Sequence, residues 1–415
     1  MIKRIEIENY RSCLSTTFEP NSHLSVLIGP NGSGKTNILT AITLLRRITG
    51  ADYTYSREEE LFKRDCKLKF IFEMDGKPLP FTAKLGIDTD ENNQDIIITS
   101  DEQWNLKTFT GDGKLKNLRL IDLISFGDDK NIFTQDMAVR NYYYHRHSRL
   151  SKKTLHTFRS LPENARTALF DIFKYAFGMK YYSASQFTNP ANCPTSFGIE
   201  KEGSRQRGIR MGDHSKFLYD LYTQYKDPNN ASYRQYFEVI GPEGIGLLDK
   251  IDFKEIPTSS IDYKVKSGGK VREIKREKIL VIPQFTIGKN ELSPNQLSEG
   301  TFKTITLLFY LITETSSLLL IEEPEVCVHH GLLSSIIEMI KTYSRNKQII
   351  VSTHSDFVLD QLEPENVFKV SNEPEKGTKV ISIKKSMSSR EFNALRKYLD
   401  KVGNLGEYWK EGSLE

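Results

Sequence analysis

Cysteine and tryptophan are scarce in this chain, at four and two among 415 residues. Cys13, Cys66, Cys193 and Cys327 are scattered, with no Cys-x-x-Cys and no Cys/His ligand spacing. That argues against a structural zinc site and for a reducing, cytoplasmic setting. Long apolar runs are missing as well. The longest, residues 305–312 and 318–321, are too short to span a bilayer. The opening Met-Ile-Lys-Arg-Ile-Glu alternates as a strand does, unlike a secretory signal. Strong charge of one sign is absent too: 58 basic against 54 acidic residues leave a formal net charge of +4. Only local clustering of charge could therefore argue for a nucleic-acid partner. There is no internal repeat and no low-complexity tract. With 38% hydrophobic and 27% charged residues the chain reads as soluble and globular, and its length implies two subregions.

What is present begins with Gly29-Pro30-Asn31-Gly32-Ser33-Gly34-Lys35-Thr36. An apolar run, residues 24–28, precedes it and a helical pattern, residues 37–47, follows it. Strand, glycine turn and helix in that order form a phosphate-binding loop. The glycines allow backbone N–H groups to converge on an anion, and the helix N-terminus adds partial positive charge. Lys35 would reach the outer phosphates, and the Thr36 hydroxyl would ligate Mg2+. The chain is expected to bind a nucleoside triphosphate.

Three later segments complete a site. Residues 316–321 form an apolar strand ending in Glu322-Glu323-Pro324. Such a strand delivers its last side chains rigidly to a sheet edge. Glu322 would hold Mg2+ through its coordination shell, and Glu323 would polarise or deprotonate the attacking water. Gln296-Leu297-Ser298-Glu299-Gly300-Thr301 opens a long apolar helix, where serine and glycine make a cap and an open anion site. A further apolar strand, residues 349–353, ends at His354, placed to contact a γ-phosphate or to orient water. Taken alone, each of these has a plain structural reading; their order and spacing give them weight.

In this order the chain resembles the ABC-type ATPases. Walker A is Gly29 to Thr36, the signature 297–301, Walker B 318–323 and the histidine switch His354. More narrowly it resembles the SMC/RecF-like and overcoming-lysogenization-defect (OLD) branch. The residues that carry this are Asn9-Tyr10-Arg11-Ser12, Ile321-Glu322-Glu323-Pro324-Glu325 and Ser352-Thr353-His354-Ser355. The likeness covers residues 1–50 and 280–370 well and the middle poorly. It implies an α/β fold: an ABC-type P-loop ATPase head, with mixed or parallel sheet and flanking helices, carrying a mainly helical insertion. The expected segments are 1–110 with Walker A, an insertion at 111–278 with a basic hairpin, 279–380 with the remaining motifs, and a helical tail at 381–415.

The resemblance further implies ATP and Mg2+ as ligands and a head-to-tail homodimer. In it Ser298 and Gly300 would contact the γ-phosphate held by the other copy's Asn31, Gly32, Ser33, Gly34, Lys35, Thr36 and Asn37, with Arg11 and Ser12 approaching the nucleotide. Glu322 in place of the usual aspartate, and Thr301 in the signature, favour slow, partner-gated hydrolysis. No Q-loop residue is assigned, Gln94 and Gln103 being equal in standing. The tail after His354 is short for the Toprim nuclease of OLD-like proteins. The likeness therefore implies an ATPase acting on a separate effector, a nuclease or toxin, as in Septu-type, PARIS-type and retron-associated anti-phage systems. A RecF-like DNA-repair ATPase and a non-hydrolysing ATP-dependent scaffold are the alternatives. Two stretches would meet nucleic acid or else form solvated faces. They are Arg140 to Lys153, with interleaved Tyr142, Tyr143 and Tyr144, and Lys264 to Lys278 around a predicted hairpin.

Overall fold

The computed structural model describes residues 1–48, 62–89, 95–118, 158–200, 212–265, 271–313, 316–326, 328, 330–401 and 403–410. Its strands in chain order are β1 (Ile2–Tyr10), β2 (Cys13–Phe18), β3 (Leu24–Ile28), β4 (Phe62–Met74), β5 (Lys77–Thr89), β6 (Asp95–Asn105), β7 (Leu115–Asn117) and β8 (Lys180–Ser183). They continue with β9 (Phe197–Glu200), β10 (Lys250–Val265), β11 (Val271–Ile287), β12 (Asn290–Leu292), β13 (Leu318–Glu322), β14 (Gln348–Thr353), β15 (Val367–Glu373) and β16 (Gly377–Ser382). The longer helices are α1 (Lys35–Ile48), α2 (Glu163–Gly178), α3 (Asp213–Tyr225), α4 (Ala231–Ile240), α5 (Glu299–Thr313), α6 (His330–Ser344) and α7 (Ser389–Lys401).

Two compact units divide the chain, Met1–Ser183 with Thr315–Glu325 and Leu333–Glu415, and Ala184–Glu314 with Val326–Leu332. The sequence suggested boundaries at 110, 278 and 380. The difference has a simple cause: β8 pairs in parallel with β13, which ties residues up to 183 to the first unit.

The first unit holds two six-stranded sheets. One runs β16-β15-β3-β14-β13-β8 and is parallel from β15 to β8. Every residue of β3, β13 and β14 is buried, as expected for parallel strands covered on both faces. The apolar runs at 24–28, 318–322 and 348–353 therefore lie side by side. The other sheet is antiparallel, β2-β1-β4-β5-β6-β7. Its buried face includes Phe70, Phe72, Phe81 and Trp104, whose rings stack in succession. Helix α1 contributes Ile38, Leu39, Ile42 and Leu45, an i, i+1, i+4, i+7 stripe, to the same core. A buried amide ties both ends of this unit together. Gln348 accepts from the Ile2 N–H and the Tyr175 hydroxyl, and donates to the carbonyls of Ile2 and Asn21.

The second unit is a mixture, not mainly helical. Strands β10 and β11 form a long antiparallel ribbon flanked by β9 and β12, beside α3, α4 and α5. The predicted hairpin is real. It is far longer than the stretch Lys264 to Lys278 suggested, with pairing from Lys250↔Thr286 to Val265↔Val271. Phe217, Tyr236, Phe302 and Phe309 make an edge-to-face cluster in its core.

Candidate functional site

The parallel sheet explains why the motifs meet. Register pairs Ile28 with Thr353, and Ser352 with Glu322. The loop after β3, the carboxylates ending β13 and the histidine after β14 thus leave from one carboxyl edge, where ligands of open α/β sheets bind.

Gly32 and Gly34 sit at φ of +80° and +104°, a region that side chains resist. Gly34 is also held closely from below: a Cβ there would stand 2.1 Å from Thr378 Oγ1 and 2.9 Å from Ser12 Oγ. Asn31 and Gly32 form the exposed tip of the loop, while Ser33 and Lys35 are buried. Lys35 Nζ donates to the carbonyls of Gly29 at 2.7 Å and Pro30 at 3.2 Å. Burial lowers the Lys35 ammonium below its ordinary range, opposed by the charges of Glu323, Glu325 and Glu322.

Around that lysine the acidic strand end is arranged in detail. The Thr36 hydroxyl donates to Glu322 Oε1, and the Tyr181 hydroxyl donates to Glu322 Oε2. Burial and the Glu322 charge beside it push the Tyr181 phenol far up. Glu323 adopts a left-handed φ of +48°, and its N–H donates to Ser352 O at 2.9 Å. A non-glycine residue held there costs about 1–3 kcal/mol and marks a site whose surroundings enforce it. Its carboxylate Oε1 lies 3.4 Å from His354 Nδ1. Glu325 Oε1 accepts from the Thr353 hydroxyl at 2.7 Å and the His354 N–H at 3.1 Å.

The N-terminal strand turn reaches the same place. Arg11, at φ +50°, donates to Asn37 Oδ1 at 3.3 Å, and Asn37 donates to Ser12 Oγ at 2.7 Å. Ser12 Oγ in turn shares a 2.7 Å bond with the hydroxyl of Thr378, which donates also to Ser33 O at 3.3 Å. One unit thus gathers Arg11, Ser12, the loop 29–37, Glu322, Glu323 and His354. Ser298 and Gly300 lie in the other unit. There Ser298 caps α5, its Oγ accepting from the Thr301 N–H at 3.1 Å. Gln103 lies in β6 of the antiparallel sheet, and Gln94 falls outside the described residues. Arg140 to Lys153 also falls outside them, and of Lys264 to Lys278 the strands β10 and β11 are described but not the turn at 266–270.

Sequence reasoning missed three contributors. Glu325 stood inside a quoted motif but carried no role. Tyr181, on a four-residue strand, and Thr378, on β16, belong to no motif, and only the strand pairing brings them in.

Oxygen donors suit a small hard cation here, since Thr36 and Glu322 are already in contact. Among the described residues no three His, Cys, Asp or Glu side chains gather as a metal-binding set.

A strand–loop–helix anion cradle with two carboxylates and a histidine at one sheet edge defines a P-loop nucleotide-binding protein. Comparison with known proteins narrows the class. A family described as "AAA domain" matches residues 4–163, and one described as "AAA domain, putative AbiEii toxin, Type IV TA system" matches residues 218–360. The RecF DNA replication and repair protein of Pelotomaculum thermopropionicum is 36% identical over 88 residues, 20% of this chain and 24% of its own. The Rad50 double-strand break repair ATPase of Methanopyrus kandleri is 57% identical over 44 residues, 11% of this chain and 5% of its own. The SMC head domain of Thermotoga maritima aligns over 92% of this chain and 98% of that one, at 12% identity and a TM-score of 0.42. The chain is thus similar, over these segments, to P-loop proteins of the RecF and Rad50 kind. It spans a quarter or less of the length of these RecF and Rad50 relatives. Among the described residues no helix is long and apolar enough to cross a membrane.

Proposed function

We propose that the chain binds and hydrolyses ATP with Mg2+, as an ABC-type homodimer whose nucleotide state controls a separate effector in anti-phage defence. The observation that carries the chemistry is the contact of Thr36 with Glu322, with Glu323 and His354 one residue beyond their strand ends.

In the proposed reaction the loop N–H groups and Lys35 bind the phosphates, Lys35 turning from the Gly29 and Pro30 carbonyls to do so. Thr36 and Glu322 would hold Mg2+, which neutralises charge on the phosphates when bound. Glu323 takes the proton of the attacking water, or polarises it, at a carboxylate fixed by its left-handed backbone. His354 Nδ1, beside Glu323 Oε1, orients that water or meets the γ-phosphate. Ser298 and Gly300 of a second copy would close over the γ-phosphate, so that hydrolysis and separation of the copies are linked.

The family matched at 218–360, described as a putative toxin of a type IV system, leans toward a defence role. A second reading, a RecF-like ATPase that binds DNA when ATP is bound, is favoured by the RecF likeness and by the seven Lys/Arg residues of Lys264 to Lys278. Phosphate release and light scattering of the purified chain test the first reading, with Lys35→Ala and Glu323→Gln as variants. ATP should produce dimers in wild type and trap them in Glu323→Gln, while Lys35→Ala stays monomeric. No phosphate release and no ATP-dependent association would refute it. DNA affinity that needs ATP, falls steeply with salt and requires no partner would favour the second reading.

A further inference from the structure

We infer that Tyr181 is a positioning residue for the metal-binding carboxylate, fixing a glutamate at a strand end so that only one of its oxygens faces Thr36. The inference rests on the ATPase reading above and concerns how its acidic strand end is made to work.

Glu322 is the last residue of β13, with a side chain one methylene longer than aspartate and one more rotatable bond. Left to itself such a carboxylate would sample several rotamers at the sheet edge, and ordering it costs entropy. The structure removes that freedom from two sides. Thr36, at the start of α1, donates to Oε1, and Tyr181 on β8 donates to Oε2. Register makes the second contact possible. β8 runs parallel to β13 with Tyr182 opposite Ile321 and Ser183 opposite Glu322, so Tyr181 stands opposite Leu320. From there the phenol ring is long enough to reach forward along the sheet to the glutamate, where a serine or threonine is not. The phenol occupies Oε2, and Oε1 remains the oxygen shared with the hydroxyl of the phosphate loop.

Two consequences separate positioning from mere packing. Removing the phenolic oxygen alone should loosen Glu322 and so weaken the metal-dependent part of nucleotide binding. Shortening Glu322 to aspartate should also withdraw the carboxylate from Tyr181, so the phenol then has nothing left to fix.

The test uses this chain carrying Glu323→Gln, which should keep nucleotide bound. A fluorescent ATP analogue is titrated at rising Mg2+, with thermal unfolding followed without nucleotide. Tyr181→Phe should raise the Mg2+ concentration for half-maximal binding roughly tenfold, the scale of one lost hydrogen bond to a charged group. It should leave metal-free binding and the nucleotide-free melting temperature nearly unchanged. In a Glu322→Asp background the same substitution should add less than about twofold. An unchanged Mg2+ midpoint in Tyr181→Phe overturns the inference. So does a full tenfold shift on top of Glu322→Asp, or a loss of stability that accounts for the whole effect. Failure of the parent protein to bind the analogue in a Mg2+-dependent way would instead sink the ATPase reading itself, a distinguishable result.

Discussion

Replacing Gly34 with alanine sets the sterics of the phosphate loop directly against its floor. Two costs arise at once. A φ of +104° is strained for any residue with a Cβ, costing about 1–3 kcal/mol. The new methyl would stand 2.1 Å from Thr378 Oγ1, 2.9 Å from Thr378 Cγ2 and 2.9 Å from Ser12 Oγ. Overpacking of that kind costs a further 1–3 kcal/mol or so. The loop cannot absorb this by sliding, because Ser33 O and Ser12 both bond to Thr378, whose own N–H and carbonyl are bonded to Ser12 and Thr16. The loop N–H groups should therefore move, and nucleotide affinity should fall tenfold or more, about 1.4 kcal/mol or above. A double-mutant cycle isolates the steric part. Thr378→Ala removes two of the three atoms that the methyl meets, the nearest among them, so Gly34→Ala should cost at least about 1 kcal/mol less in that background. Binding of an ATP analogue and the melting temperature of the nucleotide-free protein are the two readouts. Strict additivity in both would refute the picture of Thr378 as the rigid floor of the loop.

Glu323→Gln should keep ATP bound while slowing phosphate release by 100-fold or more, the usual worth of a positioned base, measured in single turnover. His354→Ala should lower kcat with little change in nucleotide affinity, since its ring meets Glu323 and not the loop; loss of affinity alone would assign it to binding. Lys35→Met should abolish ATP binding yet stabilise the nucleotide-free protein at neutral pH. Burial lowers the folded-state pKa of Lys35, so its charge opposes folding below that pKa and the penalty fades as pH rises toward 10.5. A lower melting temperature for Lys35→Met at pH 7 would contradict this. Burial pushes the Cys66 thiol up to about 12 from 9.0, so the unfolded chain loses that proton first. Stability should fall as pH rises above 9, and Cys66→Ala should flatten the fall in chemical denaturation between pH 9 and 11.

The parts of the site that were legible in the sequence are those whose meaning is local. Gly29 to Thr36 specifies its own turn, and Leu318 to Glu323 its own buried strand with carboxylates at the end. The α/β character followed from the family resemblance that these motifs carry. Tyr181 and Thr378 were illegible for the opposite reason. Each acts through a strand partner far away in the chain, β13 for Tyr181 and the β1–β2 turn for Thr378, and nothing in KYYS or GTKVIS announces it. Strand β5 was missed because Pro78 and Pro80 argue against a central strand. Both precede Phe81, the first β5 residue paired to β6, so they occupy a stretch that only β4 flanks. Beyond it Phe81, Ala83 and Leu85 alternate into the core. The long ribbon was seen only at its tip. Its inner half alternates weakly, and Pro257 and Pro283 again sit within it.

The buried amide of Gln348 also sets a clock. It joins Ile2 and Asn21 across 346 and 327 residues, and β14 is one of the two strands that flank β3. At roughly 5–20 residues per second of synthesis, β3 waits on the order of 15–60 s at the ribosome before its first neighbour exists. During that interval the apolar segment 24–28 has no sheet to join and the glycine loop has no floor. A nascent chain should therefore remain unable to capture nucleotide until β14 to β16 have emerged. It is most exposed to chaperones and proteases over that same interval, and chains truncated before residue 382 should be degraded without ever acquiring ATP affinity.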